Sequence, residues 1–410
     1  MSAEPKRALS FPKEEIRVLL LEKISQEAVN MFRAEGFQVE SCDALTEDEL
    51  VAKIPSVHVL GVRSKTRVTR RVLEASKRLL AVGCFCIGTD QTDLEAAAEL
   101  GKPVINAPFA NTRSVAELII SEIIALVRQL GDRNKECHEG KWFKVSKNCY
   151  EVRGKVLGIV GYGHVGSQVS VLAESLGMIV RFYDHVPKLP LGNAQAVPSL
   201  QELLQSSDIV TLHVPLTPDT IGMIGEEEIK LMKKGSYLLN AARGQVIDLE
   251  AVARAVRSKH LAGVAVDVFP DEPATNGDEF KCPLQGLPNV ILTPHIGGST
   301  EEAQAGIGRE VAGKIINFIN SGSTIGCVNL PEMFLPHSKG AHRILNFHKN
   351  QPGVLRDINQ LLSGYNVMGQ MLMTRGSVGY LIIDVEAEVS DEIRQQMANL
   401  PASIKTRLLY

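Results

Sequence analysis

Short apolar runs alternate with amphipathic stretches from residue 15 to residue 321. The runs of the first part are continuously apolar rather than alternating, which is typical of strands buried on both faces of a parallel sheet. Between them, SQEAVNMFRAEGF, TEDELVAKI and DLEAAAELG have the spacing of helices. A βαβ series of this kind predicts a parallel sheet covered by helices. The apolar runs of this first series are EIRVLLL, VHVLGV, LLAVG and residues 103–106.

A second series of the same kind extends from Lys155 to His295. Its six strands, joined by helical crossovers, predict a complete doubly wound unit. One long helical stretch precedes it at 113–130, and another follows it at 301–321. The apolar runs are KVLGIV, MIVRFY, DIVTLHV, SYLLNA, AGVAVDVF and NVILTPH.

The last part of the chain has a different rhythm. Prolines and glycines without periodicity at 331–340 predict a linker. Beyond it, RILNFH, NVMGQMLMTR, VGYLIIDVEA and SIKTRLLY indicate strands, and helices are expected at PGVLRDINQLL and near 391–399. The fold class predicted for the whole chain is therefore α/β, with two doubly wound parallel-sheet domains and a C-terminal βαββαβ ferredoxin-like domain.

Composition and charge exclude several classes of protein. Among 410 residues, 44 Lys and Arg nearly balance 47 Asp and Glu, whereas a nucleic-acid surface needs a basic excess. No apolar run approaches the roughly 18 residues that cross a bilayer, and the first residues lack the shape of a secretory signal. The seven cysteines form no Cys-x-x-Cys pair. We expect a cytoplasmic protein that binds no nucleic acid, membrane or metal.

A glycine-rich turn, GYGHVG, follows the strand VLGIV and opens a helical stretch. Strand, turn and helix in this order predict a dinucleotide site, with the pyrophosphate at the helix N-terminus. Asp184 ends the next strand and can accept both ribose hydroxyls, which favours NAD over NADP. The alternative is a structural turn, with Asp184 as a strand-end cap. The predicted cofactor residues here are Gly161, Gly163, Val165, Gly166, Asp184 and a solvent-facing His164.

Arg243, Glu272 and His295 follow three strands of the second series, at the sheet edge where ligands bind in such folds. Each has a simpler interpretation as a surface Arg, a solvated Glu or a capped core His. Together they predict hydride exchange at a 2-hydroxy acid. His295 would take the hydroxyl proton, Glu272 would orient the imidazole, and Arg243 would bind the substrate carboxylate.

GYGHVG with Asp184, followed by ARG, DEP and PHIGGST, resembles the D-2-hydroxyacid dehydrogenase family. In that family the catalytic roles fall on Arg243, Glu272 and His295. GCFCIGTD, NAPFANTRSVAEL, RGKVLGIVGYGHVGSQ and DVFPDEPA are most similar to its bacterial D-3-phosphoglycerate dehydrogenases. The resemblance implies a flavodoxin-like substrate domain at 1–110 and 298–336, a Rossmann domain that binds NAD at 111–297, and an ACT regulatory domain at 339–410.

The resemblance also implies ligand contacts. A solvated loop is the alternative for residues 63–65, and a buried structural Asp is the alternative for Asp267. Lys65 stands where bacterial relatives often have Arg, which keeps the charge but not the planar fork. The implied substrate contacts are Arg63, Ser64, Lys65 and Asn111, and the further cofactor contacts are Ala241, Arg243, Asp267, His295, Gly297 and Gly298.

The resemblance finally implies NAD-dependent oxidation of D-3-phosphoglycerate to 3-phosphohydroxypyruvate in a homotetramer, with 2-oxoglutarate reduction as a side activity. L-Serine would inhibit by binding His348, Asn350 and Asn366 at a subunit interface, although Asn350 is equally well placed to begin a helix. Lys339-Gly340 replaces the Gly-Gly hinge of relatives, which leaves the degree of inhibition open. A dehydrogenase of another D-2-hydroxy acid and an NAD-sensing interaction protein are the alternatives.

Overall fold

The computed structural model describes residues 11–273 and 277–410. They divide into two compact units, one made of the described residues up to Ala110 with Gln304–Tyr410, and the other of Asn111–Ala303. The first ten residues of the predicted segment 1–110, and Ala274 of the DVFPDEPA motif, lie outside the described residues.

The first unit begins with a parallel sheet covered by helices. Its strands are β1 (Arg17–Leu21), β2 (Gln38–Cys42), β3 (Val59–Val62), β4 (Ala81–Cys84) and β5 (Val104–Asn106), and its helices are α1 (Gln26–Ala34), α2 (Glu47–Lys53), α3 (Arg70–Ala75) and α4 (Leu94–Glu99). The strand order β2-β1-β3-β4-β5 is that of flavodoxin-like folds, as predicted. Strands β3, β4 and β5 are buried along their whole length, because helices cover both faces.

The strand β2 has no signature in the apolar pattern of the sequence. Its sequence, QVESC, has no apolar run, and its side chains are exposed or half-buried. The strand lies at the edge of the sheet and pairs only with β1. An edge strand of this kind carries polar side chains without cost, so apolar periodicity does not reveal it.

The second unit contains a parallel sheet of seven strands within its described residues. Its elements in chain order are α5 (Thr112–Val127), α6 (Leu130–His138), β6 (Val156–Val160), α7 (His164–Ser175), β7 (Ile179–Tyr183), β8 (Gln195–Ala196), α8 (Leu200–Ser206), β9 (Ile209–Leu212), α9 (Glu226–Leu231), β10 (Ser236–Asn240), α10 (Leu249–Arg257), β11 (Leu261–Val266) and β12 (Val290–Leu292). The strand order β12-β11-β10-β9-β6-β7-β8 confirms the predicted Rossmann topology and adds the two-residue strand β8. The order reverses between β6 and β9, which is where such sheets bind ligands.

The long helix expected at 113–130 corresponds to α5, which is shorter at its C-terminal end, and the helix α6 that follows was not predicted. Helix α5 ends at Val127, and Gln129 adopts a left-handed backbone conformation with φ 51° before α6 begins. A residue in that conformation cannot continue a right-handed helix, so the chain changes direction there. The helix α11 (Glu301–Ser321), by contrast, has the predicted extent.

The C-terminal part of the first unit is an antiparallel sheet. Its elements are β13 (His342–Lys349), α12 (Val354–Leu362), β14 (Val367–Arg375), β15 (Val378–Val385), α13 (Ser390–Ala398) and β16 (Ser403–Leu409). The strand order β14-β15-β13-β16 and the βαββαβ sequence of elements confirm the predicted ferredoxin-like domain.

Residues 331–340 contain no helix or strand, as expected of a linker, but they are firmly attached to this sheet. Arg343 on β13 donates to the carbonyl of Pro336 and to both carboxylate oxygens of Asp384 on β15. Asp384 also accepts from the backbone N–H of Ser338. Arg343 donates further to the carbonyl of Ser321, at the end of α11. The buried ion pair thus fixes the second half of the segment and connects it to the end of α11.

No helix among residues 11–273 and 277–410 is long and apolar enough to span a membrane. Within the same residues, no group of three or more histidine, cysteine, aspartate or glutamate side chains is arranged to hold a metal ion.

Candidate active site

The glycine-rich turn between β6 and α7 has the geometry of a phosphate-binding turn. Gly161 has φ 90°, and a Cβ there would lie 2.6 Å from the carbonyl oxygen of His213. A Cβ on Gly166 would lie 2.1 Å from the carbonyl oxygen of Gly161, so close packing requires glycine. A Cβ on Gly163 would meet nothing within 4 Å. The open space at Gly163, beside the N–H groups that begin α7, fits a pyrophosphate.

Asp184 lies directly after β7, and its carboxylate is fixed by the turn. One oxygen accepts from the N–H of Tyr162 at 2.8 Å, and the other accepts from the N–H of Val186 at 3.1 Å. Each carboxylate oxygen keeps a further acceptor position, so Asp184 can still bind a ribose diol. His164 is exposed at the start of α7, as expected, and Val165 is half-buried.

The structure brings His295 and Glu272 into contact. Nδ1 of His295 lies 2.8 Å from Oε2 and 3.1 Å from Oε1 of Glu272. This hydrogen bond raises the pKa of His295, more than its partial burial lowers that pKa. Burial raises the pKa of Glu272, but hydrogen bonds from His295 and from the N–H of Phe269 bring it below its ordinary value. Nδ1 therefore donates to the carboxylate, and Nε2 is left to exchange a proton with a ligand.

The loop that carries His295 is held by Asp267. His295 has a left-handed backbone, with φ 55°, and its N–H donates to the carbonyls of Asp267 and Thr293. The buried carboxylate of Asp267 accepts from the hydroxyl of Thr293 at 2.6 Å and from the N–H groups of Ile296 and Gly297 at 2.8 Å each. Asp267 thus fixes the strained turn behind the imidazole, and its contact with the cofactor stays a prediction.

Arg243 follows β10, and Asn240 shapes the turn that places it. The side chain of Asn240 accepts from the N–H of Ala242 and donates to the carbonyl of Arg243, both at 3.0 Å. The Arg243 guanidinium donates to the carbonyl of Ala242 and is close enough for its charge to lower the pKa of both His295 and Glu272. The predicted triplet is therefore one cluster.

Asn111 lies against the same loop. A Cβ on Gly298 would be only 2.4 Å from Nδ2 of Asn111, so the two residues pack closely. The Oδ1 atom of Asn111 is buried and has no hydrogen-bond partner in the described part of the chain. An unsatisfied buried acceptor in this position is available to a ligand.

Ala241, which was also predicted to contact the cofactor, follows β10 and is half-buried.

Arg63, Ser64 and Lys65 belong to the other compact unit, where they follow β3. Ser64 and Lys65 are exposed, and Arg63 is half-buried. Within the described residues, neither cationic side chain has a carboxylate partner, as the ion pairs involve other residues. Free cations beside a hydroxyl are suited to an anionic ligand.

Comparison with known proteins identifies the family. Residues 120–297 match the NAD-binding domain of D-isomer specific 2-hydroxyacid dehydrogenases, and residues 344–405 match an AHAS small subunit-like ACT domain. The D-3-phosphoglycerate dehydrogenase of Dictyostelium discoideum is 59% identical over 402 residues, which cover 98% of this chain and 99% of that one. The chain belongs to the D-3-phosphoglycerate dehydrogenase family. It is an NAD-dependent oxidoreductase.

A second member of the D-3-phosphoglycerate dehydrogenase family matches almost the whole chain. The Escherichia coli K12 enzyme is 50% identical over 408 residues, covering 98% of this chain and 99% of the relative. Because the Dictyostelium discoideum enzyme is the more similar of the two, the resemblance is not confined to bacteria. Among solved structures, D-lactate dehydrogenase from Aquifex aeolicus, complexed with NAD and lactic acid, is 29% identical with a TM-score of 0.65. It covers 74% of this chain and 95% of that one. These matches confirm NAD as the cofactor.

The residues predicted to bind an effector are not all together in one chain. His348 is buried, and Nδ2 of Asn350 donates to the carbonyl of Gly376. Nδ2 of Asn366 instead donates to Glu386. Asn366 and Gly376 lie at opposite ends of β14, which at about 3.3 Å per residue separates them by about 30 Å. Within one chain, Asn366 therefore lies far from Asn350, and the binding of an effector by these residues stays a prediction.

Several residues that shape the site were not predicted from the sequence. Asn240 had a weak signal, because it is a polar residue at the end of the apolar strand SYLLN. Tyr162, whose ring stacks on Phe182 at 3.7 Å, occupies a variable position of the glycine motif. Thr293 and Glu22 had no local signal, since their partners are distant in sequence.

Proposed function

We propose that the protein oxidises the C2 hydroxyl of D-3-phosphoglycerate to 3-phosphohydroxypyruvate with NAD. The contact between His295 and Glu272 carries the proposal, together with relatives of that name over almost the whole chain. Bound NAD supplies the acceptor for the hydride that leaves C2. The proton of the C2 hydroxyl must leave at the same time, so the reaction requires a base with a pKa near neutral beside the hydroxyl oxygen.

His295, Glu272 and Arg243 have separate roles in the proposed reaction. Nε2 of neutral His295 takes the hydroxyl proton, and the Glu272 carboxylate stabilises the imidazolium that results. The guanidinium of Arg243 binds the substrate carboxylate and polarises the developing carbonyl. About 48% of the His295 side chain and 36% of the Glu272 side chain are exposed, so substrate can reach them. The unsatisfied Oδ1 of Asn111 remains available to a donor group of the bound ligands other than that hydroxyl.

We assign the substrate phosphate to the loop after β3. Arg63 and Lys65 supply positive charge, and the hydroxyl of Ser64 supplies a donor. We further assign residues 1–110 and 298–336 to a substrate domain, 111–297 to the NAD domain and 339–410 to an ACT domain. The match of residues 344–405 to an ACT domain supports the last of these.

A spectrophotometric assay of NADH tests the proposed reaction. Purified protein should turn over D-3-phosphoglycerate with NAD much faster than D-glycerate, D-lactate or D-2-hydroxyglutarate. The same assay with NADP should give little activity, because Asp184 repels a 2′-phosphate. Faster turnover of an unphosphorylated acid would contradict the phosphate assignment. Absence of turnover with every acid would favour an NAD-sensing role.

His295→Ala should lower turnover by about 10²–10⁴-fold, the usual contribution of a general base. His185→Ala is the matched control, because His185 is an exposed histidine beside Asp184 that plays no part in proton transfer. The measurement is kcat for D-3-phosphoglycerate, with thermal melting to verify folding. Turnover within a few-fold of wild type in His295→Ala would contradict the role of His295.

We propose that L-serine binds between two copies of the ACT domain. The separation of Asn366 from His348 and Asn350 supports this, because a second copy can supply the missing side chain. Calorimetric titration should show L-serine binding to the wild-type protein, with loss of activity, and weaker binding to Asn350→Ala. D-Serine is the control ligand. Failure of L-serine to bind would leave the ACT domain another ligand or an assembly role.

We also propose a homotetramer located in the cytoplasm. A segment of the second unit exposes large apolar side chains, among them Trp142, with 85% of its area exposed, and Phe143. Apolar groups exposed in a row favour contact with another chain. The seven cysteines are all free, in keeping with a reducing compartment. A side activity on 2-oxoglutarate belongs to the same proposal.

A further inference from the structure

The loop of Arg63, Ser64 and Lys65 is held by one carboxylate. Oε1 of Glu22 accepts from the backbone N–H of Arg63 at 3.2 Å and from that of Thr66 at 2.8 Å. Oε2 of Glu22 accepts from the N–H of Lys65 at 3.0 Å. Three of the four N–H groups from residue 63 to residue 66 therefore point at a single side chain.

The position of Glu22 follows from the sheet. Glu22 comes directly after β1, and β1 pairs in parallel with β3, so both strands end at the same edge. The N–H of Glu22 donates to the carbonyl of Cys42 at the end of β2, on the other side. Glu22 and Lys23 are consecutive non-glycine residues in the left-handed region, with φ 63° and 53°. Strain of this kind is kept where the surrounding structure fixes a functional geometry.

Gln91 holds the same loop at a carbonyl. The buried side chain of Gln91 donates through Nε2 to the carbonyl of Arg63. The N–H of Val68 donates to the carbonyl of Gln91 at 2.8 Å, which ties Gln91 to the far end of the loop. Three N–H groups of the loop thus donate to Glu22, and the carbonyl of Arg63 accepts from Gln91.

These hydrogen bonds decide how the loop can bind an anion. A run of convergent N–H groups is ordinarily an anion-binding nest. In this loop Glu22 already occupies the nest, so the backbone has little left to offer a phosphate. Recognition falls on the side chains, and within the described residues Arg63 and Lys65 have no carboxylate that competes for them.

We propose that Glu22 is a positioning residue for the substrate. Its carboxylate takes the place of an anion in the loop and turns Arg63, Ser64 and Lys65 outward toward the phosphorylated substrate. This inference rests on the proposed assignment of the substrate phosphate to the loop. Glu22 acts through the loop and does not touch the reacting atoms.

The test compares Glu22→Ala with Glu40→Ala as the matched control. Glu40 is a carboxylate on the neighbouring strand β2, and it pairs with Lys53 without touching the loop. Glu22→Ala should raise KM for D-3-phosphoglycerate by about 10–100-fold, because small misplacements of binding groups have effects of this size. KM for NAD should stay within twofold, and kcat should change less than KM. Glu40→Ala should leave all three within twofold.

Acetate provides a second, chemical test. The change from Glu to Ala removes a fragment with the atoms of acetate, so added acetate should fill the nest and lower KM of Glu22→Ala toward wild type. Glu22→Gln, which keeps one acceptor oxygen and is the safer variant for folding, should have an intermediate KM without acetate. Circular dichroism and thermal melting verify that each variant is folded.

Three results would overturn the inference. They are a KM for D-3-phosphoglycerate within threefold of wild type in Glu22→Gln and Glu22→Ala, an equal rise of KM for NAD, or no response of folded Glu22→Ala to acetate. The proposed function fails separately, if wild type does not turn over D-3-phosphoglycerate. In that case the comparison of variants with wild type is made on the 2-hydroxy acid that is turned over.

Discussion

At the scale of single residues, the hydrogen bond between His295 and Glu272 changes the pKa of the proposed base, His295. A half-exposed imidazole beside a carboxylate holds its proton more tightly than a free one, and the pKa of His295 is accordingly raised by Glu272. Arg243 opposes this with its own positive charge, which lowers the same pKa. The three side chains therefore tune one another, and the base strength of His295 belongs to the cluster rather than to histidine alone.

Glu272→Gln should move the acid limb of the kcat profile to lower pH. Oxidation needs neutral His295, so activity falls as the pH drops through the raised pKa of His295. Removal of the carboxylate lowers that pKa, and it also lowers turnover, on the order of 10²-fold, because the imidazolium loses its partner. The measurement is kcat for D-3-phosphoglycerate across pH. Asp271→Asn, an exposed neighbour, serves as control, and an unmoved acid limb in Glu272→Gln would contradict the pairing.

Local patterns revealed the residues that end a buried strand but not those that hold a loop from a distance. Arg243, Glu272 and His295 were found because each follows an apolar run. Glu22 lies 41 to 44 positions before the N–H groups it accepts from, and Asp267 lies 26 to 30 positions before its partners. Hydrogen bonds over such separations depend on how strands are ordered in the sheet, and no local pattern encodes that order.

At the scale of elements, two glycines of the turn between β6 and α7 are needed for different reasons. Gly166 permits the turn and helix to pack, since a Cβ there would collide with the backbone of Gly161. Gly163 leaves open space where a Cβ would touch no protein atom. The first use concerns the stability of the fold, and the second concerns approach of the cofactor.

Gly163→Ala and Gly166→Ala should therefore fail in different ways. Gly166→Ala should lower the melting temperature, because the collision at 2.1 Å is with a backbone atom. Gly163→Ala should melt close to wild type yet raise KM for NAD by about tenfold or more, because its methyl group occupies the space of the pyrophosphate. Thermal melting and KM for NAD are measured for both. Equal melting temperatures in the two variants would contradict the distinction.

Apolar periodicity identified the buried elements and failed at the exposed ones. It located β1, β3, β4 and β5, which are buried, but not β2, whose edge position tolerates polar side chains. It also extended α5 three residues too far, to Leu130, past the left-handed residue Gln129, and it did not find α6. Backbone conformation at a single non-glycine residue has no sequence signature, so the break was not foreseen.

At the scale of the whole molecule, a buried ion pair joins the ACT sheet to the chain that leads into it. The side chains of Arg343 and Asp384 are almost fully buried. Burial raises the pKa of Asp384, but donation from Arg343 and from Ser338 brings it below its ordinary value. Arg343 uses its remaining donors on the carbonyls of Ser321 and Pro336. The second half of the linker therefore has a fixed path, although its sequence predicts no helix or strand.

Asp384→Asn should destabilise the protein by about 3–5 kcal/mol, because it leaves the Arg343 charge buried without a partner. The loss should be smaller in acid. A carboxyl with a lowered pKa contributes stability above its unfolded pKa and loses it as the pH falls through its folded pKa. The measurement is urea unfolding at two pH values. Asp357→Asn, which breaks the exposed pair with Arg356, should cost about 1 kcal/mol or less, and an equal effect would contradict the prediction.

The sequence by itself determined the βαβ order of both parallel-sheet units, the βαββαβ order of the ACT domain, the glycine turn and the three strand ends that carry Arg243, Glu272 and His295. Each of these depends on burial period or on a short motif, and both are local properties of the chain. Only the tertiary structure decided which carboxylates, distant in sequence, hydrogen-bond to these parts of the chain. Asp267 accepts from the loop of His295, Glu22 accepts from the loop of Arg63, and Asp384 accepts from Arg343. A carboxylate looks the same in a sequence whether it is solvated or accepts three backbone N–H groups, because its partners are chosen by the order of the strands.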